Sequence, residues 1–261
     1  MATHKVLETA RFTLRPLGLE EAPLLADLGA DPEVVKTLIC DWSTAERRLA
    51  IARSWIEKHR HQGIWGVYDR AGAFGSEGRF VGFCAVDEPL PRVGRGPEVS
   101  YAFARETWGR GVASEVVAAM IDHLIGDRGA EAVEALIYPG LNPASTRLAE
   151  KLGMRLVGRY PLADYAGGEC EPTLRFEVWR VSTATPEAAP RSLDEAAFKI
   201  GQFVADGISS KGEMAAALAR AAADNGLTAR IGGEAVARRI DEGLTAGLAE
   251  TGWLHYRIEE A

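Results

Sequence analysis

Alternating apolar and polar residues mark the first part of the chain. The stretch RFTLRPL (11–17) alternates as a half-buried strand does, and residues 19–30 have apolar positions at helical spacing. Ser43 is followed three residues later by Glu46, which is the spacing of a capping box. We therefore expect a strand, a helix, and a second helix that begins after Ser43 and runs to about residue 61.

Two apolar runs then flank a glycine-rich stretch and predict a β-hairpin. They are IWGVYD (64–69) and RFVGFCAV (79–86), and EVSYAFA (98–104) alternates as the next strand. After a glycine segment, apolar residues recur at helical spacing from position 112 to 124, and EAVEALIY (131–138) has the composition of a buried strand. This order predicts antiparallel strands first and a strand–helix–strand crossover afterwards.

One further helix and two strands complete this part of the chain. Asn142 followed by Pro143 has the form of an N-cap with proline at the first helical position, and Gly153 can end that helix. The runs at 155–160 and 173–180 have strand composition. We predict an α+β fold, with a mixed, mostly antiparallel sheet flanked by helices.

A change of composition divides the chain. Residues 182–192, STATPEAAPRS, lack aliphatic periodicity and predict a linker between residues 1–181 and residues 193–261. The last region is rich in alanine and almost wholly helical in pattern, and Ser210 with Glu213 forms a second capping-box spacing. We predict a helical accessory domain, whose role the sequence does not reveal.

Composition restricts the functions that the chain can have. Among 261 residues, 47% are apolar and the formal net charge is −7, which argues against a nucleic-acid binder. The three cysteines are far apart in sequence and have no metal-ligand or disulfide spacing. No apolar run approaches the length of a membrane helix. We expect a cytoplasmic protein without a metal site, a nucleic-acid partner or a membrane partner.

The segment ETWGRGVASE (106–115) places small residues at alternate positions before a helix. Gly109, Gly111 and Ala113 would leave free backbone N–H groups at the positive end of the helix dipole, where anions bind. The segment lacks the lysine of a P-loop, and Ser114 stands where a dinucleotide fingerprint has Gly or Ala. A pyrophosphate loop for coenzyme A and a plain helix start with incidental glycines both remain open.

The segment resembles the coenzyme A motif of the GNAT acetyltransferase superfamily, which has the form Q/R-x-x-G-x-G/A. Gly111 and Ala113 match its last two positions. Trp108 replaces the Gln or Arg, as in the Rim-type branch, whose members resemble ribosomal-protein-alanine acetyltransferases. Three other stretches match the same branch in order, and together the resemblance covers residues 8–181: ETARFTLRPL (8–17), PEVSYAF (97–103) and NPASTRLAEKLGMRLVGRY (142–160).

The resemblance implies acetyl-coenzyme A as co-substrate and assigns residues to it. Backbone amides around the glycine segment would hold the pyrophosphate, main-chain groups of the preceding strand would pair with the pantetheine arm, and an asparagine would lie near that arm. The asparagine has an equally good explanation as a helix N-cap. The implied cofactor-binding residues are Tyr101, Phe103, Gly109, Arg110, Gly111, Val112, Ala113, Ser114 and Asn142.

The same resemblance suggests the catalytic groups. Glu98 on the strand before the glycine segment is the candidate general base, although it could instead pair with an arginine. Many members have a tyrosine acid where this chain has Ala149. Ser145 is the replacement that the Rim-type branch suggests, and the weaker candidates are Tyr101, Tyr138 and Tyr160.

Two functions follow as expectations. One is an N-acetyltransferase that moves an acetyl group to a primary amine, either a protein N-terminus or a small molecule, by direct attack in a ternary complex. The pKa of an α-amine is about 2.5 units below that of a lysine, so an α-amine is more easily made neutral, which favours an α-amine acceptor. The alternative is a catalytically weak acetyl-coenzyme A sensor that acts through the helical region. That region could also join two protomers as a homodimer.

Overall fold

The computed structural model describes residues 4–38, 40–88, 96–138, 142–160, 173–205 and 210–249, in which strands and helices are interspersed up to residue 179 and helices follow. Within this part, one unit contains the described residues up to 177, and a second unit contains those from 178 onward. Each unit has its own buried core.

The first half of the larger unit is a run of short strands with three helices inserted. Pro23 and Pro32 each lie in the first turn of their helix, where the missing N–H costs nothing. The elements are β1 (Leu7–Glu8), β2 (Phe12–Pro16), α1 (Ala22–Leu28), α2 (Pro32–Val35), α3 (Ala45–Lys58), β3 (Ile64–Asp69) and β4 (Arg79–Asp87).

The second half contains the predicted crossover. A 3₁₀ turn at Arg105–Thr107 and the glycine segment join a strand to the next helix, and a π-helical turn at His123–Asp127 follows that helix. The elements are β5 (Glu98–Phe103), α4 (Val112–Asp122), β6 (Ala132–Ile137), α5 (Pro143–Lys151), β7 (Arg155–Tyr160) and β8 (Thr173–Trp179).

The described strands form one sheet in the order β1-β2-β3-β4-β5-β6-β8-β7. Strands β1 to β5 are antiparallel neighbours, β5 and β6 are parallel, and β7 and β8 are antiparallel. The parallel pair is the one that α4 connects, because a parallel connection needs a crossover. The predicted α+β fold with a mixed, mostly antiparallel sheet is therefore confirmed.

Helices α1 and α3 cover one face of the sheet. Leu25 and Ile56 from these helices are buried together with Phe83 of β4 and Ala102 of β5. Side chains of a strand alternate between the two faces, so Glu98 and Ser100 lie on the same face of β5 as Ala102. Tyr101 and Phe103 lie on the opposite face.

The start of α3 differs from the prediction by one residue. Ser43 and Glu46 do not form the predicted capping box. Thr44 is the N-cap instead, and its hydroxyl accepts from the N–H of Arg47 at 3.2 Å. Ser and Thr are both good N-caps, so their order along the chain could not decide between them.

The second unit is helical. The predicted capping box of Ser210 and Glu213 is present. Helical structure at Arg180–Thr183, and again from the buried Ala189, leaves fewer residues between helices than the predicted linker 182–192. The helices are α6 (Arg180–Thr183), α7 (Ala189–Ala205), α8 (Lys211–Asp224), α9 (Leu227–Ile231) and α10 (Gly233–Ala249).

Helices α7 and α10 approach closely because three glycines have no side chains. A Cβ atom at Gly201 or Gly247 would collide with the backbone of the facing helix, and one at Gly243 would collide with Ala197. No helix among the described residues is long and apolar enough to cross a membrane.

Candidate active site

Strand β5 is fully paired on one side and almost unpaired on the other. Its six residues pair with β4, from Asp87 opposite Glu98 to Gly82 opposite Phe103. Toward β6, the described pairing is limited to Glu98 opposite Glu134, whose N–H donates to the carbonyl of Pro97 at 2.9 Å. The two parallel strands therefore separate after Glu98.

The open edge of β5 presents main-chain groups. The N–H of Ala104 donates to the carbonyl of Val81, toward β4, at 2.9 Å. Main-chain groups of successive residues point to opposite edges of a strand, so those of Val99, Tyr101 and Phe103 point toward the gap beside β6. An extended ligand with amide groups could add to this edge as a further strand does.

Trp108 closes the far end of this edge. Its indole N–H donates to the carbonyl of Phe103 at 2.8 Å, while 47% of the residue remains exposed. The sequence pattern identified Trp108 as a replacement for Gln or Arg. The structure shows that it satisfies the last carbonyl of β5.

The glycine segment lies directly after this end of β5. Gly109 and Gly111 have φ angles of 71° and 77°, in the left-handed region that favours glycine. A Cβ atom at Gly109 would have no neighbour within 4 Å among the residues that the structure describes, so it would meet none of them there. Packing within the chain does not explain this glycine, whereas its backbone conformation does.

The start of α4 offers backbone donors to a ligand. Gly111 is its N-cap, and its carbonyl accepts from the N–H of Glu115 at 3.1 Å. The first-turn amides of an α-helix have no intrahelical acceptor, so those of Val112, Ala113 and Ser114 can bind an anion.

Arg110 and Lys151 place cationic groups at this segment, and the sequence pattern indicated the first of them. The guanidinium of Arg110 stacks on the ring of Phe74 at 4.1 Å. The ammonium group of Lys151, from the last turn of α5, donates to the hydroxyl of Ser114 at 3.2 Å. Lys151 was missed because its place beside α4 depends on helix packing.

At the other end of β5, Glu98 lies between two further carboxylates. Asp87 on β4 and Glu134 on β6 are its partners in register. Burial, and then the negative charges of these two residues, raise the pKa of Glu98 to about 8. Lys58 and the backbone N–H of Leu136, which donates to the Glu98 carboxylate, oppose this shift.

The pKa of Asp87 is shifted in the opposite direction from that of Glu98. Burial disfavours its charge, but hydrogen bonds from His59 and Lys58 outweigh burial and hold its pKa well below the usual range. The Nε2 atom of His59 lies 3.0 Å from the carboxylate and the Lys58 ammonium lies 2.6 Å from it. Ser100 also donates to Asp87, at 3.1 Å.

Tyr101 and Ser145 meet on the other face of β5. The Ser145 side chain hydrogen-bonds the phenol of Tyr101, and burial raises the pKa of Tyr101 to about 12. Asn142 is an N-cap, since its side chain accepts from the N–H of Ser145 at 3.0 Å. Ala149, at the position of the missing tyrosine, is buried on α5.

The structure thus places most of the predicted residues along β5 and at its two ends, whereas Asn142 and Ser145 belong to α5. Glu98 stands at the start of the open edge, Tyr101 and Phe103 lie along it, and the glycine segment follows it. Sequence patterns did not indicate Asp87 or Glu134. The register of the predicted hairpin and crossover is the only signal that could have placed them beside Glu98.

Similar proteins identify the fold independently. The family described as acetyltransferase (GNAT) domain matches residues 11–155. A relative from Bacillus licheniformis, named uncharacterized N-acetyltransferase p20, is 30% identical over 162 residues, which cover 62% of this chain and 87% of the relative.

Two solved structures share the fold at low sequence identity. One is RimL, the ribosomal L7/L12 alpha-N-protein acetyltransferase, in complex with coenzyme A. It has a TM-score of 0.54 and 15% identity, and the match covers 67% of this chain and 98% of RimL. The other is spermidine N-acetyltransferase from Vibrio cholerae in complex with CoA and spermine. It has a TM-score of 0.52 and 16% identity, and covers 65% and 95% of the two chains. The chain belongs to the GNAT acetyltransferase family and is an acyltransferase.

Proposed function

We propose that the protein transfers an acetyl group from acetyl-coenzyme A to the α-amine of a protein N-terminus or to a small primary amine, by direct attack in a ternary complex. The observation that carries this proposal is the open edge of β5, which begins at Glu98 and ends at the glycine segment. Acetyl-coenzyme A, when bound, supplies the acetyl group as a thioester.

The residues present fit such a co-substrate. The amides of Gly109, Gly111, Val112, Ala113 and Ser114 would bind the pyrophosphate, because glycine conformations and a helix start leave them open to an anion. The N–H of Arg110 already donates to the carbonyl of Thr107, at 3.3 Å. The N–H and C=O groups of Tyr101 and the N–H of Phe103 would hold the pantetheine arm along the open edge, since the carbonyl of Phe103 is bonded to Trp108. Asn142 would act beside that arm through its cap of α5.

Glu98 is the proposed general base. A base works best when its pKa is near that of the proton donor and near the operating pH. The pKa of Glu98, about 8, is close to the value of about 7.7–8.0 for a free α-amine. Glu98 would take the amine proton, directly or through water, on the face of β5 that α1 and α3 cover.

Ser145 is the proposed proton donor at the sulfur. It lies on the opposite face of β5 from Glu98, so the proposed acid and base are separate groups, and it is hydrogen-bonded to Tyr101. The pKa of Tyr101 is about 12, so this phenol keeps its proton and supports Ser145. A free thiol has a pKa of about 8.5, so the sulfur needs little help and a tyrosine at position 149 is not essential.

An N-terminal α-amine is the acceptor that this site suits best. Making a lysine neutral costs about 3.4 kcal/mol more than making an α-amine neutral, and Glu98 is the one base proposed here. RimL, a structural neighbour, is named as an alpha-N-protein acetyltransferase, and the spermidine enzyme shows that small amines are also used on this fold.

The helical unit lies outside this proposal. None of the proposed site residues belongs to it. We propose that it is an accessory domain, which could also carry contacts between protomers in a homodimer.

Thiol release from acetyl-coenzyme A, measured with a panel of N-terminal peptides and small amines, tests the function. We expect turnover with at least one N-terminal peptide, and a loss of that turnover in Glu98→Gln. Coenzyme A binding without turnover across the whole panel would contradict the proposal.

A further inference from the structure

Arg11 touches the glycine segment from a distant part of the sequence. Its Nη1 atom donates to the carbonyl of Arg110 at 3.0 Å. A Cβ atom built on Gly111 would lie 3.5 Å from its Nη2 atom. The guanidinium therefore contacts the peptide group that joins Arg110 to Gly111.

Glu115 holds this guanidinium in place. One carboxylate oxygen accepts from the Nε of Arg11 at 2.7 Å. The other accepts from the Arg11 backbone N–H at 2.8 Å and from the Thr9 hydroxyl at 2.6 Å. Burial opposes the charge of Glu115, but these hydrogen bonds lower its pKa. An ionised, three-fold bonded carboxylate leaves the arginine little freedom to rotate.

The direction of the carbonyl determines the direction of the next N–H. In a trans peptide, the C=O and N–H groups point in opposite directions. The Arg110 carbonyl points at Arg11, so the N–H of Gly111 points away from it. Gly111, on one side of this peptide, has the conformational freedom of glycine, so without a fixed partner the peptide could rotate at lower cost.

We propose that Arg11 is a positioning residue of the coenzyme A site, which holds the peptide between Arg110 and Gly111 so that the Gly111 N–H faces the pyrophosphate. Glu115 orients Arg11 for this task. The proposal rests on the proposed function, because it concerns the same cofactor site.

A positioning role and a purely structural role for Arg11 predict different effects on long and short acetyl donors. An ion pair that only joined β2 to α4 would affect all acyl donors alike. A residue that orients one amide toward the pyrophosphate affects acetyl-coenzyme A, but leaves S-acetylpantetheine, which has no pyrophosphate, nearly unchanged.

The test uses the full chain with Arg11→Lys. Lysine keeps the charge opposite Glu115 but cannot donate to the carboxylate and the Arg110 carbonyl through a fixed fork. We expect the dissociation constant for coenzyme A, measured by calorimetry, to rise about tenfold. We expect kcat/KM for S-acetylpantetheine to stay within about twofold of the wild type.

Arg70→Lys is the matched control, since the Arg70 side chain forms an exposed ion pair with Glu8 at 2.8 Å. If Arg11→Lys does not fold, Glu115→Gln replaces it, with a smaller loss expected in the same direction. Unchanged coenzyme A affinity in a folded variant, or equal losses with both donors, would overturn the positioning role. A wild type that does not bind coenzyme A would instead overturn the proposed function.

Discussion

The two ends of β5 form their parts of the site in different ways. At its start, Glu98 depends on side chains that come from β4, β6 and α3. After its end, the glycine segment uses the backbone of a few consecutive residues. A site formed by local backbone can be recognised from the sequence, whereas a site formed by distant side chains depends on strand register.

The start of β5 also shows how two neighbouring acidic side chains come to differ in pKa. Asp87 and Glu98 are directly opposite in register, and two such charges are costly to keep side by side. Lys58 and His59 both contact Asp87, so Asp87 keeps its charge. Glu98 has no cation in contact among the described residues, and its pKa rises.

The largest expected effect concerns catalysis by Glu98. Glu98→Gln should lower kcat/KM at pH 9 by about 10²–10⁴-fold, the usual contribution of a general base. With an acceptor amine that is neutral throughout, wild-type kcat/KM should rise about 30-fold from pH 6.5 to 9, because the ionised fraction of Glu98 rises from about 3% to about 90%. The Glu98→Gln profile should be flat.

The exposed Glu57 on α3 provides the control for that experiment. Glu57→Gln should leave both the rate and the pH profile unchanged. A Glu98→Gln enzyme that retains the wild-type rise with pH would show that another group is the base.

Glu98→Gln, which should lower activity, should raise the stability of the fold. A carboxyl group whose pKa is higher in the folded state destabilises the fold only when it is ionised. Its effect on the free energy of unfolding is therefore absent below about pH 4.5 and complete above about pH 8. Glu98→Gln should therefore raise the free energy of unfolding at pH 9 by about 2–4 kcal/mol, and much less at pH 5. Urea titrations at the two pH values would measure the difference, and equal effects at both would contradict the raised pKa.

A change in the backbone of the glycine segment should weaken the binding of coenzyme A. Gly111→Val requires a β-branched residue at a φ of 77°, which turns the segment away from its conformation. We expect coenzyme A to bind about tenfold to thirtyfold more weakly in calorimetric titration.

Gly129→Val is the matched control for this change. Gly129 has a φ of 70°, and a Cβ atom there would meet no described residue within 4 Å, but Gly129 lies before β6. Both variants should lose similar stability, and only Gly111→Val should lose affinity. Equal affinity in the two variants would remove the glycine segment from the cofactor site.

Sequence patterns predicted most of the fold because its signals are local. Alternation located the strands, and the Asn142 cap and the Ser210–Glu213 capping box located two helix starts. The error at Ser43 arose because Thr44 is an equally suitable cap one residue later.

The features of the site that the sequence did not predict all depend on long-range contacts. Asp87 and Glu134 meet Glu98 only through register, and Arg11 reaches Arg110 only after β2 and α4 have packed. Trp108 was noticed as a departure from a motif, but its bond to Phe103 depends on how the chain turns after β5. A pKa that depends on such neighbours cannot be predicted from spacing along the chain.

The smallest expected effect tests whether Asp87 tunes Glu98. Asp87→Asn removes one negative charge beside Glu98 and leaves Lys58 and His59 without their carboxylate partner. Both changes favour the ionised form of Glu98, so the midpoint of the kcat/KM profile should fall from pH 8 by about one unit. Lys58→Met should move the midpoint the opposite way and by less, because the ammonium group is exposed and screened by solvent. A midpoint that stays at pH 8 in both variants would show that burial alone raises the pKa of Glu98.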